Sequence, residues 1–181
     1  MKIVVIGTRG IPNILGGVET HCEELFPRIA AKGHDVTVIR RTPYVEENNR
    51  IAEFKGVKLV DVYAPRKKSI EAIINTFLAV VKARRLNPDV LHVHAIGPAI
   101  MVPFARLLGM KVVMTNHGPD YDRQKWGRLA KTVLKAGESF GTRFSNRVIV
   151  ISTVIADILA NKYGRKDTDL IYNGVNRPVK S

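Results

Sequence analysis

Only one cysteine, Cys22, stands in the 181 residues, so no internal disulfide can form and the chain suits a reducing compartment. No run of about 18 apolar residues occurs, which leaves no segment able to cross a bilayer as a helix. A strand-like apolar run follows Lys2 at once, so the expectation is a chain without a signal peptide. Internal repeats and low-complexity tracts are also missing. Acidic residues are scarce, 16 against 29 basic ones, and the net charge is +13. Nucleic acid, an anionic membrane surface or a phosphorylated substrate would each account for that charge. The basic residues are scattered and no aromatic stacking platform accompanies them, which argues against nucleic acid. With 45% hydrophobic residues the chain is not disordered, and its length fits one domain with a sizeable core.

Strand and helix patterns alternate throughout. Strands are expected at 3–6, 36–39, 57–62, 90–93, 111–115, 148–151 and 169–172, from β-branched runs bounded by turn residues. Helices are expected at 18–32, with Gly33 as the stop, and at 69–85, 98–108, 127–144 and 153–163. Residues 41–50 and 116–126 read as loops. In 69–85, Ile70, Ile73, Ile74, Phe77, Leu78 and Val81 recur at helical spacing and predict a buried stripe. About seven strands with helical crossovers predict a doubly wound, mostly parallel α/β sheet of Rossmann-like type, with helices on both faces. Such sheets bind ligands beyond the carboxyl ends of their strands. Attention therefore falls on Gly16-Gly17, on His94 to Gly97, and on Asn116-His117-Gly118.

The loop between the first strand and first helix carries Gly16 and Gly17. Free N–H groups and the positive dipole end make a glycine-led helix start a natural anion site. The same glycines also fit a tight turn needing positive φ. Eight residues between Gly7 and the pair rule out G-x-G-x-x-G, which weakens an NADP-dependent oxidoreductase even though Arg40 and Arg41 end the second strand. Arg9 adds positive charge to the loop, facing phosphate or an acceptor in the cleft. Glu19 complements the helix dipole, and since it would oppose a nearby phosphate it should point elsewhere, toward an acceptor hydroxyl. His92 and His94 share one face of their strand; no third ligand at a recognisable spacing accompanies them, so no metal site is expected. Cys22 reads as an inert, packed thiol.

GTRGIPNILGGVETHCEEL followed by GHDVTVIRR resembles the start of retaining GT-B glycosyltransferases of the family-4 group, more narrowly the rhamnosyltransferase-like members. PDVLHVHAIGP, HGPDYDRQKWGRLAK and NRVIVISTVIADIL…KYGRK…LIYNGV continue the resemblance in order. It implies one half of a GT-B fold: residues 1–175 as the N-terminal, acceptor-side domain and 176–181 as the start of an interdomain linker. The C-terminal donor domain, with its pair of glutamates, is then expected to be absent. A fragment of a longer hexosyl-transferring enzyme and a stand-alone, non-catalytic acceptor or membrane module are both compatible with this. Alone, the chain is expected to be inactive or nearly so.

The resemblance further implies a nucleotide-sugar donor as substrate, no cofactor, and a glycan or lipid-linked acceptor. Gly16 and Gly17 would admit the donor diphosphate, and His117 would touch the transferred sugar near the reacting carbon. The leaving phosphate would help deprotonate the acceptor, so no general base is required here. Asp120, Arg123, Lys125 and Trp126 fit acceptor recognition, Trp126 fitting core packing equally well, and His94 would line the cleft. Relatives acting on lipid-linked acceptors work at the cytoplasmic membrane face. Arg66, Lys67, Lys68, Lys82, Arg84 and Arg85 would then give salt-sensitive binding to an anionic leaflet, so a cytoplasmic, peripheral location is expected.

Overall fold

The computed structural model describes residues 1–65, 71–119 and 127–174. Its centre is β1 (Lys2–Ile6), a β-branched run buried on both faces. The other strands are β2 (Asp35–Arg41), β3 (Glu53–Phe54), β4 (Val57–Val62), β5 (Val90–His94), β6 (Val112–Asn116), β7 (Arg147–Val150) and β8 (Asp169–Leu170). They form an eight-stranded sheet in the order β3-β4-β2-β1-β5-β6-β7-β8. Every neighbouring pair is parallel except β3 with β4. The reversal of strand order on either side of β1 makes its carboxyl end the topological switch point.

The helices are α1 (Gly17–Ala31), α2 (Glu71–Leu86), α3 (Val102–Leu107), α4 (Arg128–Phe144) and α5 (Thr153–Tyr163). Because side chains alternate along a strand, β1 feeds two cores. Ile3 and Val5 pack with Val36, Val38, Cys22 and Phe26 beneath α1. Val4 and Ile6 pack on the opposite face with Val93, Met114, Val80 and Ala83 beneath α2 and α3. A smaller cluster, Val148, Val150, Ile155 and Leu159, seats α5. That helix starts where the Ser152 hydroxyl accepts the Ile155 N–H at 3.3 Å, and it ends at Gly164 with φ 69°. Among the described residues, no helix is long and apolar enough to cross a membrane.

The doubly wound, mostly parallel Rossmann-like sheet is present as expected, with one strand more. β3 has two residues and no periodicity to betray it; it forms because the Lys55-Gly56 turn, both residues at positive φ, folds it back on β4. Residues 41–50 also hold two 3-10 turns, Thr42–Tyr44 and Glu47–Asn49. The larger correction concerns α2. Its buried residues are Glu71, Asn75, Thr76, Ala79, Val80 and Ala83, and Phe77 of the expected stripe is 43% exposed. Small side chains let α2 lie close against the sheet, while Phe77 stacks outside on Phe104 with ring centroids 5.3 Å apart.

α4 approaches the sheet the same way. A methyl group at Gly137 would overlap the Ile96 carbonyl oxygen, and one at Gly141 would overlap the Met114 sulfur. Gly137→Ala is accordingly expected to lower the free energy of unfolding by about 1–3 kcal/mol, measured by urea denaturation. An unchanged midpoint would mean that α4 is not held this closely.

Candidate functional site

Four segments meet at the carboxyl edge of the central strands: the 7–17 loop after β1, the end of β2, the end of β5, and the residues after β6. The loop leaves β1 through Gly7, whose φ is 98° and whose missing Cβ makes room for the His94 carbonyl oxygen. It contains a cis Ile11–Pro12 bond and is clamped from both sides. On the α1 side, the buried Glu19 carboxylate accepts the Arg9 N–H at 2.9 Å and the Thr8 hydroxyl at 3.2 Å. On the β2 side Arg40, 1% exposed, forms a bidentate pair with Asp61 at 2.6 and 3.0 Å. It also donates to the carbonyls of Ile11, Asn49 and Ile51.

These contacts separate the two loop glycines. Gly16 has φ 151°, and a Cβ there would overlap the Glu19 carboxylate, so its need for glycine is structural. Gly17 opens α1 with nothing within 4 Å of the place a Cβ would take. The mouth of α1 is therefore bare backbone at Gly17. Arg9 stands beside it: its Nη1 is 3.7 Å from the position of a Gly16 Cβ and donates to the Leu15 carbonyl at 3.2 Å. The same guanidinium lies 5.1 Å from the centroid of the Tyr44 ring.

Beside this mouth the imidazoles of His21, His92, His94 and His117 gather around Phe26. His92 Nε2 lies 2.8 Å from the Thr115 hydroxyl. His94 Nδ1 lies 3.0 Å from His117 Nε2. Burial holds all four below the usual histidine range, and repulsion from neighbouring imidazoles adds to it for His92, His94 and His117: His92 falls to about 3 and His117 to about 4. The cluster is thus neutral at pH 7. His94 is fully buried and its Nε2 has no partner among the described residues. A buried unpaired N–H is costlier than an unpaired lone pair, so the shared proton is assigned to His94 Nδ1. His117 then accepts at Nε2 and turns an Nδ1–H donor outward. The adjoining backbone is held by Asn116, whose Oδ1 accepts the Gly118 N–H at 2.8 Å.

The geometry can receive an anion at the α1 mouth and a hydroxyl-bearing ring at His117, without a formal positive charge at the second point. The glycosyltransferase family 4 model matches residues 15–177. This chain belongs to that family. Glycogen synthase from Mycobacterium tuberculosis strain H37Rv is 27% identical across 97% of this chain and 49% of its own length; the chain spans about half the length of the curated relatives it matches. Among solved structures, Anabaena HepE in complex with UDP has a TM-score of 0.66 at 16% identity, covering 97% of this chain and 45% of that one. Sucrose-phosphate synthase from Thermosynechococcus elongatus gives 0.66 at 17% identity, covering 94% and 47%. A lipopolysaccharide outer core galactosyltransferase, WaaB, gives 0.61 at 15% identity, covering 97% and 46%. The fold is that of GT-B glycosyltransferase neighbours.

Within this family-4 domain several expected roles change. Glu19 is spent on the loop and does not reach out to an acceptor. His94 lies behind His117 instead of lining the cleft. Arg40 is buried in its pair with Asp61, and Arg41 Nη1 pairs with Glu71 at 3.2 Å, so neither offers the 2′-phosphate site an NADP enzyme needs. Cys22 is buried, and burial together with Glu19 raises its thiol pKa. Asp120, Arg123, Lys125, Trp126, Arg66, Lys67 and Lys68 lie outside the described residues; Lys82, Arg84 and Arg85 are exposed on α2. His21 escaped the sequence reading, although its place four residues after Gly17 on α1 puts it on the same helix face.

The histidine cluster carries a pH signature. Each depressed pKa means that the unfolded chain binds the proton first, so stability is complete above about pH 6.5 and declines as pH falls toward about 4. At pH 5, unfolding is expected to take up about three protons, from His92, His94 and His117. Denaturant midpoints that stay flat from pH 7.5 to 4.5 would contradict this. The assigned tautomer is checked by imidazole ¹⁵N spectra at pH 7: His94 and His117 should both be Nδ1–H species, and an Nε2–H His94 would reverse the assignment.

Proposed function

We propose that this chain is the N-terminal, acceptor-side domain, residues 1–175, of a retaining glycosyltransferase. The enzyme would move a sugar from a nucleotide-sugar donor to a glycan or lipid-linked acceptor in the cleft between this domain and a C-terminal donor domain. The observation that carries the reading is the open α1 mouth at Gly17, with Arg9 at its rim and neutral His117 beside it. The free N–H groups and Arg9 would take the donor diphosphate, since charge-assisted hydrogen bonds suit phosphate oxygens. The outward Nδ1–H of His117 would donate to a hydroxyl of the transferred sugar and steady charge developing near the reacting carbon. UDP bound to the structural neighbour HepE supports a nucleotide donor. The leaving phosphate would assist deprotonation of the acceptor, so no general base is asked of this domain, and the domain alone would be nearly inactive. Resemblance at the 7–25 motif supports the rhamnosyltransferase-like subgroup.

In the enzyme containing both domains, His117→Ala is expected to lower kcat by about 10²–10³-fold, the scale for losing one preorganised donor, with little change in nucleotide affinity. An unchanged kcat would remove His117 from the mechanism.

A specific observation also favours a peripheral place on the cytoplasmic membrane face. Exposed Phe77 stacks on half-buried Phe104, Leu107, one turn further along α3, is 85% exposed, and Lys82, Arg84 and Arg85 are exposed on the same helix as Phe77. Each basic residue near an anionic leaflet contributes about 1 kcal/mol. Co-sedimentation with phosphatidylserine-containing vesicles should fall when Lys82, Arg84 and Arg85 are changed together to Glu, and should fade in high salt. Equal binding to neutral vesicles would rule this out.

A further inference from the structure

A cavity of about 140 Å³ lies at the carboxyl end of β2, lined by Asn13, Tyr44, Glu46, Asn48 and Asn49. We propose that it is a saccharide subsite, holding a sugar unit of the acceptor other than the one that reacts. The inference rests on the acceptor-side reading above and adds a location and a ligand chemistry to it.

Every lining residue has a polar side chain, and the walls are already fixed. Asn49 Nδ2 donates to the Pro12 carbonyl at 2.6 Å, and the Asn49 carbonyl accepts from buried Arg40 at 2.9 Å. The Asn13 N–H donates to Glu23 at 2.9 Å, and the Tyr44 hydroxyl donates to Glu71 at 3.1 Å. Among the described residues, the side-chain amides of Asn13 and Asn48 and the carboxylate of Glu46 remain uncommitted, each on an exposed residue of an otherwise braced rim. Amides offer a donor pair and an acceptor, and a carboxylate accepts from adjacent hydroxyls. The Tyr44 ring supplies the apolar surface that the C–H face of a sugar requires.

The residue types exclude other occupants. Glu46 would repel an anion, and among the described residues no cation lines the cavity. One carboxylate is too little for a divalent ion, and five polar side chains do not suit an apolar ligand. The cavity's position sets its role. β2 and β6 are separated by β1 and β5, so at about 4.8 Å per strand spacing the cavity stands about 14 Å from the strand end that carries His117. A sugar seated there cannot bring its hydroxyl near His117, but a unit further along the same oligosaccharide can.

The test is an amide-detected NMR titration of this chain with maltose, lactose and chitobiose, with UDP, and with putrescine as a cationic probe. At least one disaccharide is expected to shift the side-chain amides of Asn13, Asn48 and Asn49 with saturation. Glu46→Gln and Asn48→Ala should each weaken that binding about tenfold, the scale of one hydrogen bond with a charged or well-placed partner. Glu47→Gln, next door but outside the lining, should leave it unchanged. Silence at these amides with every disaccharide overturns the subsite, as does an effect insensitive to Glu46→Gln and Asn48→Ala, or putrescine binding more tightly than any saccharide. If sugars shift Gly17 and His117 but not the Asn48 amide, the subsite falls and the acceptor-side reading stands. If they shift Asn48 while neither sugars nor UDP affect Gly17 or His117, the cavity stands as a saccharide site and the acceptor-side reading falls.

Discussion

The carboxylate of Glu19 holds the candidate site in place. It lies in the first turn of α1, where the dipole favours negative charge, yet it turns back to accept the Thr8 hydroxyl and the Arg9 N–H. Hydrogen bonds to a charged group contribute about 1.5–3 kcal/mol each, which offsets part of the entropy lost in ordering the loop. The seat exists only because Gly16 has no side chain in the space the carboxylate fills. Arg40 braces the opposite side of the loop, and through the Asn49 and Ile51 carbonyls it ties in the 3-10 segment as well. One buried acid and one buried base thus fix the bare helix mouth and the rim of the polar cavity together.

The histidines show the opposite use of burial. Charge is withdrawn from them because four imidazoles share a space lined by Phe26, β5 and β6, where solvation of a cation would be lost. What survives is hydrogen-bonding direction. His94 fixes which nitrogen of His117 is free to face outward. Positive charge is kept at Arg9, beside the helix start, where phosphate chemistry would use it. On the proposed function, the charged rim would receive phosphate and the neutral imidazole a sugar hydroxyl.

The strands were legible because β-branched runs between turn residues have few other uses, and the carboxyl-edge rule then located Gly17, His94 and His117 near one another. Other features were not. The apolar stripe on α2 was real as a pattern, but the helix turns its small residues inward, since close packing on a sheet rewards Ala79, Val80 and Ala83 more than it rewards Phe77. Edge strand β3 has only two residues and depends on its pairing with β4. Glu19 looked like an exposed helix-dipole partner because nothing in its neighbourhood along the chain reveals that Thr8 and Arg9 fold back onto it.

Through its short motifs the sequence showed the resemblance to the family, and by itself it determined the alternation of strands and helices and the glycine-led helix start. These follow from local periodicity and short motifs, whose physics acts within a few residues. Only the tertiary structure decided which glycine is open, which histidine faces outward, and which arginine is already paired. Those outcomes depend on contacts between segments distant in the chain, such as Arg40 with Asp61 and His94 with His117, and burial sets their energies only once the sheet has brought them together.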